Sequence, residues 1–202
     1  MDERAALERL SGRLPHAGDD AAVIDGLVLT TDMLHDRTDF PDGTTRYTAG
    51  WRAVGASLSD IAAMGGDPVA AVAVYGAPHF DWTAIAAFVD GAVDVCEAVG
   101  SEYVGGDLDG HDEFTVASTV VGRADEPVFR AGASPGEAVC VTGTLGRSGA
   151  ALELFGRDDI ERANALFRFE PRVAAGRTLA GAATAMMDSS DGLARSLHQL
   201  AE

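Results

Sequence analysis

The chain has 202 residues, of which 47% are hydrophobic, and a formal charge of −17 from 32 acidic and 15 basic residues. That length and apolar content allow one or two domains with a real core. The charge excludes nucleic acid and anionic membrane as partners, because no basic patch exists to meet phosphate groups. Every basic residue among the 15 is Arg and none is Lys, which excludes a Walker-A loop and the strand lysine of protein kinases. An acidic, Lys-free surface suits a salt-rich cytoplasm, where screening relieves self-repulsion, so a halophilic source is expected. Cys96 and Cys140 lack CxxC spacing and read as reduced core residues, and the five histidines lack zinc-site spacing. Residues 1–15 carry no apolar leader and no apolar run reaches membrane length, so a soluble, cytoplasmic chain is expected.

In chain order, Asp2–Leu10 reads as a short amphipathic helix stopped by Gly12. Ala21–Ile24 and Leu27–Thr31 are strands joined at Asp25-Gly26, a strong hairpin signal. A polar loop from His35 to Thr44 is long enough to be functional. Thr48–Met64 is a helix closed by Gly65-Gly66, with Trp51, Val54, Leu58 and Ile61 as its apolar stripe and Ser59 and Asp60 beside it. Val69–Val74 is an apolar strand expected to be covered on both faces. Asp81–Val99 is a helix with Asp81 as its N-cap. Glu102–Val104 and Phe114–Gly122 are strands, with Gly105-Gly106-Asp107 between them.

The Pro- and Gly-containing stretch from Arg123 to Glu137 marks a domain boundary, dividing the chain into 1–126 and 127–202. Strand Ala138–Thr142 then runs into the glycine-rich loop Gly143–Gly149, which reads either as a phosphate-binding turn at a helix N-terminus or as a tight connection. Helices follow near Ala150–Phe155, Ile160–Phe167 and Pro171–Leu179. Strand Ala183–Met187 leads to a last helix opened by Gly192 and Leu193.

Eight aspartates lie in five short clusters flanked by Gly, Ser or Thr. They are Gly18-Asp19-Asp20-Ala21, Thr30-Thr31-Asp32, Leu58-Ser59-Asp60-Ile61, Gly105-Gly106-Asp107-Leu108-Asp109 and Asp188-Ser189-Ser190-Asp191-Gly192. Each cluster by itself also reads as a surface turn or helix cap. Their position beside apolar runs points instead to carboxylates gathered at one site, where a shared cation offsets their repulsion. Hard oxygen ligands without Cys or His point to Mg²⁺, which commonly works beside phosphates.

Taken in order, these clusters resemble the motif series of the thiamine-monophosphate kinase family, within the aminoimidazole ribonucleotide synthetase-like superfamily. Arg130–Glu137 and Val141–Gly146 resemble further segments of the same series. The resemblance implies a two-domain α/β (α+β) fold whose N-terminal domain has a mixed sheet with flanking helices. It implies a homodimer in which the N-terminal domains (1–126) pair into a barrel-like core, with ATP near the interface, and a C-terminal domain (127–202) that is incomplete at its end. The implied activity is ATP-dependent phosphorylation of thiamine monophosphate to thiamine diphosphate, with several Mg²⁺ ions and no side-chain nucleophile. Carried over by position, Asp20, Thr30, Thr31, Asp32, Asp60, Asp107, Asp188 and Asp191 become metal ligands or their supports. Gly106, Asp107, Arg130 and Ser190 become ATP contacts. Asp39 stands where the family often has a substrate-contacting His. The competing readings are another enzyme of the superfamily, of the selenophosphate synthetase or hydrogenase-maturation type, and a non-catalytic ATP-binding dimer.

Overall fold

Asp25 and Gly26 both take positive φ, at 51° and 78°, the backbone of a two-residue turn whose twist matches the strands it joins. In the computed structural model, which describes residues 3–201, this turn links β1 (Ala22–Ile24) to β2 (Leu27–His35) as an antiparallel hairpin. The helix before it, α1, spans Glu3–Ser11; Asp2, where the sequence places its start, lies outside the described residues. Beyond β2 come α2 (Asp36–Asp39), α3 (Arg46–Ala63), β3 (Asp67–Ala77), α4 (Trp82–Ala98), β4 (Glu102–Gly110) and β5 (Thr115–Arg123). The remaining helices are α5 (Arg147–Phe155), α6 (Ile160–Phe167), α7 (Val173–Ala180) and α8 (Leu193–Leu200).

The five strands form one mixed sheet in the order β1-β2-β5-β3-β4, in which only the β3–β4 pair is parallel. α3 and α4 cover one face. Val54, Leu58 and Ile61 of α3 are fully buried against Val28, Val120 and Val95, which bears out the apolar stripe. A second cluster packs Phe40, Tyr75, Phe88 and Phe114 with Phe155 and Phe167, and so ties α5 and α6 to the sheet end of the core.

α3 and α4 approach so closely that a Cβ on Gly50 would lie 2.0 Å from the Phe88 carbonyl oxygen, and one on Gly91 2.0 Å from that of Tyr47. Backbone cannot yield as a side-chain tip can. Gly91→Ala is therefore expected to destabilise by about 3 kcal/mol, the upper range for overpacking. Gly149, within α5, has open space where its Cβ would stand, and Gly149→Ala is expected to be neutral or to stabilise by up to about 1 kcal/mol. Thermal melts of the two variants check the contrast.

Several sequence-based expectations need correction. The loop from His35 to Thr44 is shorter, because β2 continues to His35 and α2 adds a turn. α3 begins at Arg46 and not at Thr48, because Thr45 caps it, its hydroxyl accepting from the Thr48 N–H at 3.1 Å. Gly105-Gly106-Asp107 lies inside β4 and not between strands, since the parallel ladder on β3 runs on to Gly110 after a bulge at Ala71/Val72. β3 is covered on one face only: Val69, Val72 and Val74 are exposed in this chain. No strand forms at Ala138–Thr142 or Ala183–Met187, for these segments find no ladder to join, and a strand exists only where a partner takes its hydrogen bonds. Cys140 is accordingly exposed, whereas Cys96 is buried as expected. Between Arg123 and Arg147 no helix or strand forms. No described helix is long and apolar enough to cross a membrane.

Candidate functional site

Strand alternation decides which members of the second cluster can act together. Val28, Thr30, Asp32 and Leu34 turn toward the helices, whereas Leu29, Thr31 and Met33 are on the open face. Thr30 donates to Asp60 Oδ2 at 2.6 Å, so a strand hydroxyl is bonded to a helix carboxylate. Thr31 is not brought into this group; its hydroxyl donates to the Ser118 carbonyl at 2.8 Å.

Three distant segments meet at Asp60. Asp20, just before β1, and Asp188, before α8, each bring a carboxylate oxygen so that these and one of Asp60 lie within 4.8 Å of one another. This is the one such group of ligating side chains among the described residues. The Asp188 N–H donates to Asp20 Oδ2 at 3.3 Å, and Ser190 donates to Asp188 Oδ1 at 3.3 Å. Arg130 closes the other side. Its guanidinium reaches Asp20 Oδ1 at 2.5 Å and its backbone N–H lies 3.0 Å from Asp19 Oδ2.

Burial sets the electrostatics. It pushes the Asp20 carboxyl up to about 7, outweighing the opposing pull of Arg130. Asp60 is also raised well above the carboxylate range, first by burial and then by the charge of Asp32. Asp32, hydrogen-bonded to Asp60, and Asp188 are raised for the same first reason. Mutually repelling oxygen donors in a half-dry site, with no soft ligand among them, fit a hard divalent cation.

Other predicted residues lie apart. Asp191 is exposed and pairs with Arg195 at 3.2 Å. Asp107 is exposed on the sheet edge, where it accepts from its own neighbour Leu108 N–H at 2.9 Å. In register it follows Met33, Ala117 and Val74 across the sheet. Three strand spacings, roughly 14 Å, therefore separate it from the β2 aspartate. Gly106 has a packing reason for its identity: a Cβ there would stand 1.7 Å from the Ala73 carbonyl oxygen.

Asp39 lines a separate cleft of ≈310 Å³ with Leu34, Phe40, Arg52, Ser148 and Phe167. Its Oδ2 accepts from the His35 N–H at 2.7 Å and the Thr38 hydroxyl at 2.8 Å, which fixes the α2 turn. Arg52 lies 3.6 Å over the Phe167 ring and donates to the Phe167 carbonyl at 2.7 Å. Burial lowers this guanidinium to about 10. Sequence reasoning gave Asp19 no role of its own, although it stands in a named cluster, and missed Ser57 and Ser118 as supports. Asp19 adjoins a named ligand and Ser57 is one helical turn before Asp60, so spacing would find both; Ser118 emerges only from the strand register.

This arrangement matches known proteins closely. Residues 18–124 match the family model of the AIR synthase related protein, N-terminal domain. The chain is 69% identical over 201 residues to the thiamine-monophosphate kinase of Halobacterium salinarum, an alignment covering 100% of this chain and 70% of that relative. The chain belongs to the thiamine-monophosphate kinase family. Membership makes it an enzyme of the kinase class, and a relative from Halobacterium fits the halophilic expectation. Within this family, AaThiL solved with AMPPCP and TMP superposes at a TM-score of 0.91 and 29% identity, over 98% of this chain and 69% of that one. The hydrogenase-maturation protein HypE in its complex with HypF is 22% identical, with a TM-score of 0.71 over 90% of this chain and 63% of that one. That likeness shows the fold alone.

Proposed function

We propose that the protein phosphorylates thiamine monophosphate to thiamine diphosphate with ATP as co-substrate and several Mg²⁺ ions, in the cytoplasm. The observation that carries this reading is the meeting of Asp20, Asp60 and Asp188 from three distant segments, with Asp32 hydrogen-bonded beside them. Asp20, Asp32, Asp60 and Asp188 would hold the cations, with Thr30 bracing Asp60 and Asp191 closing the outer side. Bound Mg²⁺ supplies charge neutralisation of the polyphosphate. Arg130 adds the positive charge that a Lys-free chain otherwise lacks beside the phosphates, and Ser190 offers a hydroxyl beside Asp188. No side-chain nucleophile is needed, because the acceptor's own phosphate attacks in line; positioning and charge neutralisation do the rest. The cleft at Asp39 would hold the acceptor. It opens beside Arg52, eight residues before Asp60 on α3, about 12 Å along the helix, a span of the order of the acceptor's own length.

The reading divides the chain at 126/127, so that the Asp188–Asp20 hydrogen bond joins the two parts across the site. It also makes the protein a homodimer. The open sheet face exposes Leu29, Met33, Val69, Val72, Val74 and Val104, an apolar patch of the kind that marks an interface. A second copy covering it, sheet against sheet, would form the barrel-like core, with Gly106 and Asp107 at its edge serving the nucleotide from there. Light scattering after size exclusion is expected to give a dimer, and Val74→Asp a monomer, since a buried unpaired carboxylate opposes association. A monomeric parent chain would remove this part of the reading.

The activity test uses the protein at its relatives' full length, of which this chain spans about 70% of the first. Thiamine diphosphate is expected to form from ATP and thiamine monophosphate with Mg²⁺ or Mn²⁺, and not with excess EDTA. ATP binding without turnover would favour the non-catalytic reading, and turnover of another acceptor alone would favour a different superfamily enzyme.

A further inference from the structure

Asp32 enters the site on a strand and Asp60 on a helix, so their spacing depends on how α3 sits over the sheet. Two hydroxyls brace them reciprocally. Thr30 of β2 donates to Asp60 of α3 at 2.6 Å, and Ser57 of α3 donates to Asp32 Oδ2 of β2 at 3.1 Å. Ser57 is completely buried and its Oγ lies 2.7 Å from that of Ser118, itself 1% exposed. Ser118 stands in register with Asp32 on the neighbouring strand and donates to the Ala53 carbonyl at 2.7 Å, one turn before Ser57 on α3. The bonds therefore run from β2 through α3 to β5 and back to α3.

Proton counting gives this path a direction. A carbonyl oxygen only accepts, so the Ser118 proton is committed to Ala53. The single Ser57 proton then has two acceptors, Ser118 Oγ and Asp32 Oδ2. An ionised carboxylate is the stronger of these, which directs the proton to Asp32. That bond ties Oδ2 to α3 and fixes the carboxylate plane on the Asp60 side of the strand.

We propose that Ser57, backed by Ser118, is a positioning residue that fixes the Asp32 carboxylate for a divalent cation shared with Asp60. The inference rests on the metal role given above to these aspartates. Groups that hydrogen-bond a ligating side chain typically change metal affinity 10- to 100-fold when removed. Neither serine belongs to the aspartate clusters, and neither needs to touch the cation.

The test is Mn²⁺ binding to this chain, read from the electron paramagnetic resonance signal of the free ion, together with metal-free melting curves. Ser57→Ala is expected to weaken Mn²⁺ binding about 10-fold. Asp60→Asn serves as the ligand control. Thr48→Ala removes another fully buried α3 hydroxyl, the one bonded to Arg168, and is expected to lower the melting temperature without changing Mn²⁺ affinity. Unchanged affinity in Ser57→Ala, with binding lost in Asp60→Asn, overturns the positioning role and leaves the metal site standing. Unchanged affinity in both variants overturns the metal site itself. Equal weakening in Ser57→Ala and Thr48→Ala makes the effect one of general stability and also overturns the proposal. Should Ser57→Ala fail to melt cooperatively, Ser118→Ala decides the matter: a roughly 3-fold or greater weakening supports the relay and wild-type affinity refutes it.

Discussion

Asparagine in place of Asp60 is expected to make the metal-free protein more stable and the full-length enzyme at least about 100-fold slower, the scale of losing one electrostatic stabiliser. The two effects have one cause. Asp60 is buried among Asp32, Asp20 and Asp188, and its carboxyl is raised by burial first and by those charges next. A group raised on folding contributes stability that is complete below its unfolded value, near 4, and lost as pH climbs through the folded value. Asp20, raised to about 7, titrates in the same direction. In EDTA the wild type should therefore lose stability between pH 5 and pH 8, as charge is forced into the cluster. The amide of the Asp60→Asn variant carries no charge and still offers an oxygen to the Thr30 hydroxyl, so the variant should melt several degrees above wild type at pH 8. At pH 5 the difference should be much smaller, and it should vanish only below about pH 4, where the carboxyl is neutral in both folded and unfolded chains. Added Mg²⁺ should reverse the order, raising the wild-type melting temperature far more than that of the variant, because a ligand that binds only the folded state stabilises it by mass action. A variant less stable than wild type at pH 8 in EDTA, with full activity in Mg²⁺, would remove Asp60 from any metal site.

Much of this centre was legible because its members are short-range features. The hairpin at Asp25-Gly26, the cap at Asp81 and the α3 stripe of Val54, Leu58 and Ile61 follow from turn chemistry and helical period. The clusters around Asp20, Asp32, Asp60 and Asp188 were recognisable as carboxylates next to small residues, and the fold brings these four together. What was not legible depends on register. Adjacent residues on a strand face opposite ways, which separates Thr31 from Thr30 and Asp32, although sequence grouped all three. Ser118 stands beside Asp32, linked to it through Ser57, only because β5 pairs with β2 at that position. Asp107 looked like a member of the same centre, but its strand is the far edge of the sheet. Likewise the segments at Ala138–Thr142 and Ala183–Met187 have strand-like sequences and no ladder to complete them. Pairing is a property of two segments, and a pattern read along one segment does not contain it.

Raising KCl from 0.1 M to 2 M, with EDTA present, is expected to raise the melting temperature by several degrees or more. With 32 acidic against 15 basic residues, two opposing effects respond to salt. Screening weakens the exposed ion pairs, such as Arg157–Glu153 at 3.4 Å and Arg162–Asp159 at 2.9 Å, but pairs of this kind contribute about 0–1 kcal/mol each. Screening also relieves repulsion among the surplus carboxylates, which act on one another over the whole surface until the Debye length falls from about 10 Å at 0.1 M to about 3 Å at 1 M. The charge of −17 makes the second effect the larger. The screening response is also separable from the site. Occupation of the Asp20–Asp60–Asp188 centre should need only millimolar Mg²⁺ and should be nearly lost in Asp60→Asn. The response to KCl needs molar salt, does not depend on any one carboxylate, and should persist in that variant. A melting temperature that stays flat or falls with KCl would overturn the halophilic reading of the surface. A KCl response lost in Asp60→Asn would move the salt effect from the surface to the metal centre.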